Sequence, residues 1–427
     1  MTRLRWRGPC SPRRRKARGR HFDFDVLFYT PTIAPLLRPG SSLPPGGAET
    51  QVLLLTRQLV RFGLRVALVA HRLPEGLPAE VDGVVIVGRP AYDPHGPLTG
   101  KIKEAVRIWR TLHRANAAVI VKRAYGVDAG IVALYARATR RRFVYSSASV
   151  IDFDVDEVLL KRRDRTLFHL GLRLANDIVV QTEEQLPLCE RRVGRPAVLI
   201  KSIAEEAPAR AREPNSFLWI GRIISYKQPL AFVRLARDRP DARLVMVGVP
   251  SPHSERGRTL YKAVEQASRE LPNLELLEPR PRAELAPLID EAVAVVNTAD
   301  YEGMPNVLLE GWARGVPALV LTHDPGGVVE RHGLGGFAGG SMARLTQLAE
   351  EMWRTRHDQA EVSKRCRTYL RREHAPESVA MQWYEIVASD RRPAGPTRQT
   401  CRMTDSMTSV TEPKPGLQSS PSVETRQ

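Results

Sequence analysis

The feature that most constrains this chain is a series of short, β-branched apolar runs separated by longer stretches of helical periodicity. FDVLFYT (24–30), RVALVA (65–70), VVIV (84–87), AAVIV (117–121), RFVYSS (142–147) and DIVVQ (177–181) are short and uniformly apolar. Such runs read as strands buried on both faces, as in a parallel sheet covered by helices. The segments between them predict those helices, most clearly AETQVLLLTRQLVRFG (48–63), which ends on a glycine suited to a C-terminal cap. SIAEEAPARAREPNS (202–216) interrupts the pattern with proline and charge. The alternation then restarts with FLWIG (217–221), RLVMVG (243–248), LELLE (274–278), VAVVN (293–297) and PALVL (317–321), with helices predicted near 228–239, 257–271, 282–291, 306–314 and 341–355. The fold class that follows is α/β: two Rossmann-like, doubly wound domains facing across a cleft, with a ligand between the carboxyl ends of their strands.

The expected organisation is a basic disordered arm (1–21), an N-terminal domain (22–205), a linker (206–216) and a second domain (217–375). A helix over 376–390 is expected to pack back on the first domain, and the Ser/Thr/Pro-rich 391–427 need not fold.

Charge narrows the function classes. Of the formal +18 over 427 residues, +9 sits in residues 1–20 and +3 in 391–427, leaving +6 for the body. A nucleic-acid binder would spread its cations over a face and interleave aromatics, so that class is disfavoured. The arm RLRWRGPCSPRRRKARGR has no apolar core behind its basic part and makes a poor signal peptide, while its cations favour an anionic membrane surface. No apolar run approaches the ~18 residues of a spanning helix. Cys10, Cys189, Cys366 and Cys401 lack metal-ligand spacing, and unpaired thiols fit a reducing cytoplasm. The expected location is therefore cytoplasmic, with two readings of the arm: first a plain disordered extension, second a peripheral contact at the inner face of the plasma membrane.

Three stretches converge on the cleft. PPGGAET (44–50) places Gly46 and Gly47 between the first strand and the first helix, where backbone amides approach an anion beside a positive helix end. It lacks the spacing of nicotinamide and P-loop fingerprints. IGRIISYKQPLAFVRLA (220–236) projects Arg222 and Lys227 from the first strand of the second domain, a pair suited to a diphosphate or simply to solvent. DYEGMPNVLLEGWARG (300–315) reads as a loop and a short helix between Pro305 and Gly315, with Glu302 before the helix and Glu310 one turn inside it. Spacing leaves two readings of these acids: ligands for sugar and ribose hydroxyls around a phosphate on the helix amides, or a dipole partner and a solvated helix residue.

EGMPNVLLEGWARGVP resembles the E-x7-E segment of retaining glycosyltransferases of family 4, which have the GT-B fold. GGAE (46–49) and G-R-x4-K (221–227) resemble that family's other two hallmarks, in the same order. The resemblance implies that Glu310 binds the ribose, that Arg222 and Lys227 neutralise the leaving diphosphate, and that Gly47 with the amides near Asn306 and Val307 completes the cradle. It places Glu302, Gly303 and Met304 against the donor sugar. It further implies a UDP- or GDP-type sugar donor, a glycan or lipid-linked acceptor in polysaccharide or glycoconjugate biosynthesis, and no required metal or other cofactor. Gly311 and Trp312 replace the family's usual alanine and smaller apolar residue, a change expected to alter packing. The family's first-domain histidine has no counterpart; VKRAYG (121–126) and SSASVIDFDVD (146–156) offer Arg123 and Asp152 instead, either facing acceptor and sugar or pairing with each other. A GT-B-like epimerase is the alternative enzyme and would need further acid/base groups in the cleft.

Overall fold

The computed structural model describes residues 21–37, 46–73, 76–91, 98–154, 162–250 and 255–388. The basic arm and the C-terminal tail lie outside them. The first sheet contains β1 (Phe24–Tyr29), β2 (Val66–His71), β3 (Glu80–Val81), β4 (Val84–Arg89), β5 (Ala117–Arg123), β6 (Arg142–Ser146), β7 (Asp177–Val180) and β8 (Val198–Leu199). The second contains β9 (Ser216–Ile223), β10 (Leu244–Pro250), β11 (Leu274–Leu277), β12 (Ala292–Asn297), β13 (Ala318–Val320) and β14 (Gly335–Phe337). The helices are α1 (Gly47–Arg61), α2 (Leu98–Ala115), α3 (Val127–Ala138), α4 (Arg162–Leu174), α5 (Gln185–Val193), α6 (Pro229–Asp238), α7 (Glu255–Glu270), α8 (Arg282–Asp290), α9 (Asn306–Arg314), α10 (Val328–Arg331), α11 (Met342–Arg354), α12 (Ala360–Glu373) and α13 (Pro376–Ala388).

The first sheet is ordered β3-β4-β2-β1-β5-β6-β7-β8 and the second β11-β10-β9-β12-β13-β14. Every pairing is parallel except β3 with β4. The apolar, non-alternating strands explain this arrangement, because both faces of each sheet are buried. Within β1, Leu27 and Tyr29 enter the core beneath α2, α3 and α4, while Val26 and Phe28 enter the opposite core beneath α1 and α13. Trp383 of α13 packs there against Phe28, with ring centroids 6.5 Å apart. The fold is thus two doubly wound α/β domains, as the strand pattern predicts.

Each sheet reverses its winding once: between β1 and β5 in the first, between β9 and β12 in the second. The diverging connections at such a reversal leave a crevice at the carboxyl ends of the two central strands. All three singled-out stretches follow one of these strands.

The GW departure acts as packing. Trp312 is fully buried on α9 and meets Tyr369 of α12 edge-on at 5.6 Å. Gly311 faces β12, where an added Cβ would come within 3.0 Å of Val295.

Candidate active site

The second sheet builds the charged half of the site. β9 ends at Ile223, and the turn Ser225–Lys227 leads to Gln228, whose left-handed φ of 46° delivers the chain to Pro229 at the start of α6. The loop after β12 is laced to this turn. Thr298 accepts from the indole of Trp219 at 3.0 Å and donates to the Lys227 carbonyl at 2.6 Å. Asp300 N donates to the Tyr226 carbonyl at 2.8 Å, and the Tyr226 and Tyr301 rings stack at 4.8 Å.

That lacing seats Lys227 Nζ on Glu302 Oε1 in an ion pair with both side chains mostly buried. Burial first, and then the nearby Arg222 charge, pull the Lys227 ammonium down to about 7. Arg222 itself stays exposed at the mouth. Glu302 is therefore a partner to Lys227 and not a helix-dipole partner.

Glu310 is not a solvated helix residue either. Arg282 at the start of α8 donates to it at 2.8 Å, and its side chain is only 18% exposed. Burial raises its pKa, with Arg282 opposing. The two residues line a small pocket with Gln51, Ala204, Glu205 and Asn306. Glu302 and Glu310 thus hold different cations, Lys227 and Arg282.

The first sheet meets this N-terminus edge to edge. Gly46 is the extended residue before α1, and the Gly47 carbonyl accepts from Asn306 Nδ2 at 3.0 Å. Gln51 Nε2 donates to Asn306 Oδ1 at 3.0 Å and to the Ile203 carbonyl at 2.8 Å, so one amide ties α1, the inter-sheet connection and α9 together. Val150 N donates to the Glu302 carbonyl at 3.2 Å. Gly303 is buried so tightly that a Cβ there would overlap the Gln181 amide and the Ala148 carbonyl. Met304 is buried in the core of the second domain, and Val307 packs against that core.

Arg123 and Asp152 do not pair with each other, contrary to the simpler of the two expectations for them. Arg123 donates to Ser146 Oγ and to Gln181 Oε1, both at 3.0 Å. Burial holds its pKa down to about 10, against the attraction of Asp152 and Glu49. Asp152 is fully buried and accepts from Ala148 N at 2.8 Å and from the Tyr145 hydroxyl at 2.9 Å. Burial raises its pKa, outweighing those bonds. Both residues brace the 146–152 loop that touches Glu302 and Gly303.

Four site residues escaped the motif reading: Gln51, Gln181, Arg282 and His323. His323 follows β13, is 10% exposed and lies 3.5 Å from Glu184 of the first domain, with burial lowering its pKa. Position held the signal for three of them. Gln181 and His323 end or follow runs read as strands, and Arg282 opens a segment read as a helix, all on the ligand side. Gln51 sits within α1, where only its place beside the glycine turn marks it.

Two family models match consecutive parts of the chain: Glycosyl transferase 4-like domain over residues 46–203 and Glycosyl transferases group 1 over residues 201–373. The chain is a GT-B glycosyltransferase. Solved structures agree on the fold. Sucrose-phosphate synthase from Thermosynechococcus elongatus is 15% identical with a TM-score of 0.69, covering 85% of this chain and 98% of that one. HepE from Anabaena, solved with UDP and glucose, is also 15% identical, with a TM-score of 0.67 over 86% of this chain and all of that one. TarM from S. aureus, solved with UDP and alpha-GlcNAc-glycerol, is 13% identical with a TM-score of 0.56, covering 66% of this chain and 58% of that one. No curated protein sequence matches the transferase. Among its described residues no helix is long and apolar enough to cross a membrane.

Proposed function

We propose that this transferase moves a sugar, with retention of configuration, from a nucleoside-diphosphate donor to a glycan or lipid-linked acceptor in polysaccharide or glycoconjugate biosynthesis, as a family 4 enzyme. The observation that carries the reading is the Lys227–Glu302 pair, held at the crevice of the second sheet beside Arg222 and the α9 N-terminus.

On this reading the donor diphosphate takes Lys227 from Glu302. Lys227 and Arg222 then neutralise the leaving group, and the backbone around Gly47, Asn306 and Val307 completes its cradle. The released Glu302 carboxylate accepts from a donor-sugar hydroxyl beside Gly303 and Met304. Glu310, oriented by Arg282, accepts from the ribose. Cations aimed at charge that develops as the glycosidic bond breaks lower the barrier by preorganised electrostatics, and this assignment requires no metal. Arg123 and Asp152 shape the acceptor side through the 146–152 loop. The enzyme acts in the cytoplasm, at the inner face of the membrane.

Because HepE and TarM were solved with UDP, uridine diphosphate is the first donor moiety to try. A thermal-shift series with UDP, GDP and ADP tests the reading. One nucleotide at about a hundred times its Kd stabilises the fold by ~2.7 kcal/mol, and the shift disappears in Lys227→Ala. If all three leave the wild-type midpoint unmoved, the donor-site assignment falls.

A further inference from the structure

Helices α2, α3 and α4 share one core, closed by Ile108, Leu112, Val132, Phe168 and Leu172. The opposite side of α2 carries two parallel stripes. Ile102, Val106 and Trp109, at i, i+4 and i+7, are 62%, 44% and 39% exposed. One residue further on, Lys103, Arg107, Arg110 and Arg114 repeat the spacing, and all are exposed. At 3.6 residues per turn these stripes run side by side along the helix. Leu134 of α3 and Leu170 of α4 extend the apolar surface, at 39% and 38%. Five of the eight large apolar side chains exposed among the described residues therefore lie on this one layer.

The acids on these helices are all engaged elsewhere. Glu104 is buried on Arg89, Asp128 lies 3.5 Å from Lys122, and Asp164 lies 3.1 Å from Lys101. The three helices carry no other carboxylate. Arg137, Arg162, Arg163 and Arg173 add exposed cations to the same layer. A face meant only for water mixes both signs of charge. A nucleic-acid site would gain nothing from the aliphatic stripe, since its affinity comes from phosphate contacts. An anionic bilayer answers to both stripes at once, with headgroups for the cations and the acyl boundary for the Ile, Val and Trp. The Trp109 ring is braced edge-on against Tyr135 at 5.4 Å, so its exposed part is presented without a large ordering cost.

We propose that the outer face of α2, α3 and α4 docks on an anionic lipid bilayer, with Ile102, Val106 and Trp109 at the headgroup–acyl boundary and Lys103, Arg107, Arg110 and Arg114 over the headgroups. This gives a contact surface to the peripheral placement proposed above, separate from the basic arm, and it does not rest on the donor-site reading. Ile102, the most exposed of the stripe, lies near the start of α2, which follows β4 at the carboxyl edge of the sheet where the cleft opens. A lipid-linked acceptor would enter from that side.

Co-sedimentation of the full chain with vesicles tests it, using phosphatidylcholine alone and phosphatidylcholine doped with phosphatidylglycerol. Binding is expected on the doped vesicles and not on the neutral ones. The triple variant Ile102→Ser, Val106→Ser, Trp109→Ser loses about tenfold or more in partitioning. Changing Lys103, Arg107, Arg110 and Arg114 to Gln loses about fivefold per charge. An unchanged nucleotide thermal shift in both shows that the fold and donor site are intact. Deleting residues 1–20 leaves most of the binding. The proposal is overturned if the triple variant partitions like wild type, if neutral vesicles bind equally, or if arm deletion alone abolishes binding. It is also overturned if the triple variant instead splits a dimer in sedimentation, or if the charge variant loses RNA duplex affinity while its vesicle binding is kept.

Discussion

The two sheets share one winding scheme, yet they furnish their crevices differently. At the carboxyl edge of the second sheet, Lys227 and Glu302 come from two adjoining loops and neutralise each other, with Arg222 at the mouth. At the same edge of the first sheet, Gln181 links Arg123, Ser202 and the Ala148 carbonyl by bonds of 2.6–3.0 Å, and Asp152 is bonded to its own loop. The first arrangement can exchange an internal partner for a ligand's charge. The second is a scaffold whose bonds run between separate connections and hold one surface in shape. A charged pair is lost by changing one residue, whereas a braced surface yields only when its shape changes.

The largest expected effect therefore falls on the second sheet. Lys227→Ala should lower transferase kcat/KM on the order of 10²–10³-fold, the usual consequence of removing a group that stabilises leaving-group charge. Glu310→Ala should act mainly through nucleotide affinity, read by calorimetric titration. Arg123→Ala, acting through the 146–152 loop, should cost less than Lys227→Ala. Equal losses in steady-state kinetics would dissolve the distinction between the two crevices.

A smaller effect tests the seam between the sheets. Gly303 is buried against Gln181 and Ala148, with no room for a methyl group. Gly303→Ala should push the Glu302 loop off the first domain and lower kcat/KM by roughly tenfold or more, since small misplacements of positioned groups are costly. Nucleotide affinity should change little. A variant with wild-type turnover would show that this contact is not needed for transfer.

Much of this was legible in the sequence because it is written locally. Buried parallel strands declare themselves by uninterrupted Val, Ile and Leu, so the two domains could be counted. Arg222, Lys227, Glu302 and Glu310 sit in short motifs at strand ends. Three of the four strands of two or three residues left no such trace: β3, β8 and β14 are too short, and the GGF of β14 lacks β-branched residues. The partners of the bracing residues were equally silent. Gln51 bonds Ile203 and Asn306 across 152 and 255 residues, and Arg282 reaches Glu310 only because α8 and α9 pack together. Separations of that size leave no spacing to read.

Proton linkage sharpens the comparison further. Lys227 titrates near 7 in the free site because burial and Arg222 disfavour its charge. A bound diphosphate brings further negative charge beside the ammonium and raises that pKa, so donor binding takes up a proton above pH 7. Affinity for a nucleotide sugar, whose diester has no ionisation in this range, should be flat below pH 6.5. It should fall by about tenfold per pH unit above 7.5. Calorimetric titration in two buffers of different ionisation enthalpy reads the proton directly. A pH-independent Kd would mean that Lys227 stays charged in the free enzyme.

At the connection between the sheets the expected effect is on stability and not on transfer. His374, between α12 and α13, is fully buried, and its Nδ1 lies 2.7 Å from the Ser202 carbonyl, fixing the Nδ1–H tautomer as donor. Burial pushes its pKa down to about 4 from the ordinary 6.5. The unfolded chain therefore binds a proton that the fold refuses, and stability drops as pH falls from 6.5 toward 4. The slope is about 1.4 kcal/mol per unit, or ~3 kcal/mol in all. His374→Gln can keep a donor to Ser202 but cannot titrate, so its midpoint should start lower at pH 7.5 and decline less steeply on acidification. Parallel curves in scanning calorimetry between pH 7.5 and 5 would move acid sensitivity away from the connection and into the domains themselves. Convergent curves would place it where the first sheet hands the chain to the second.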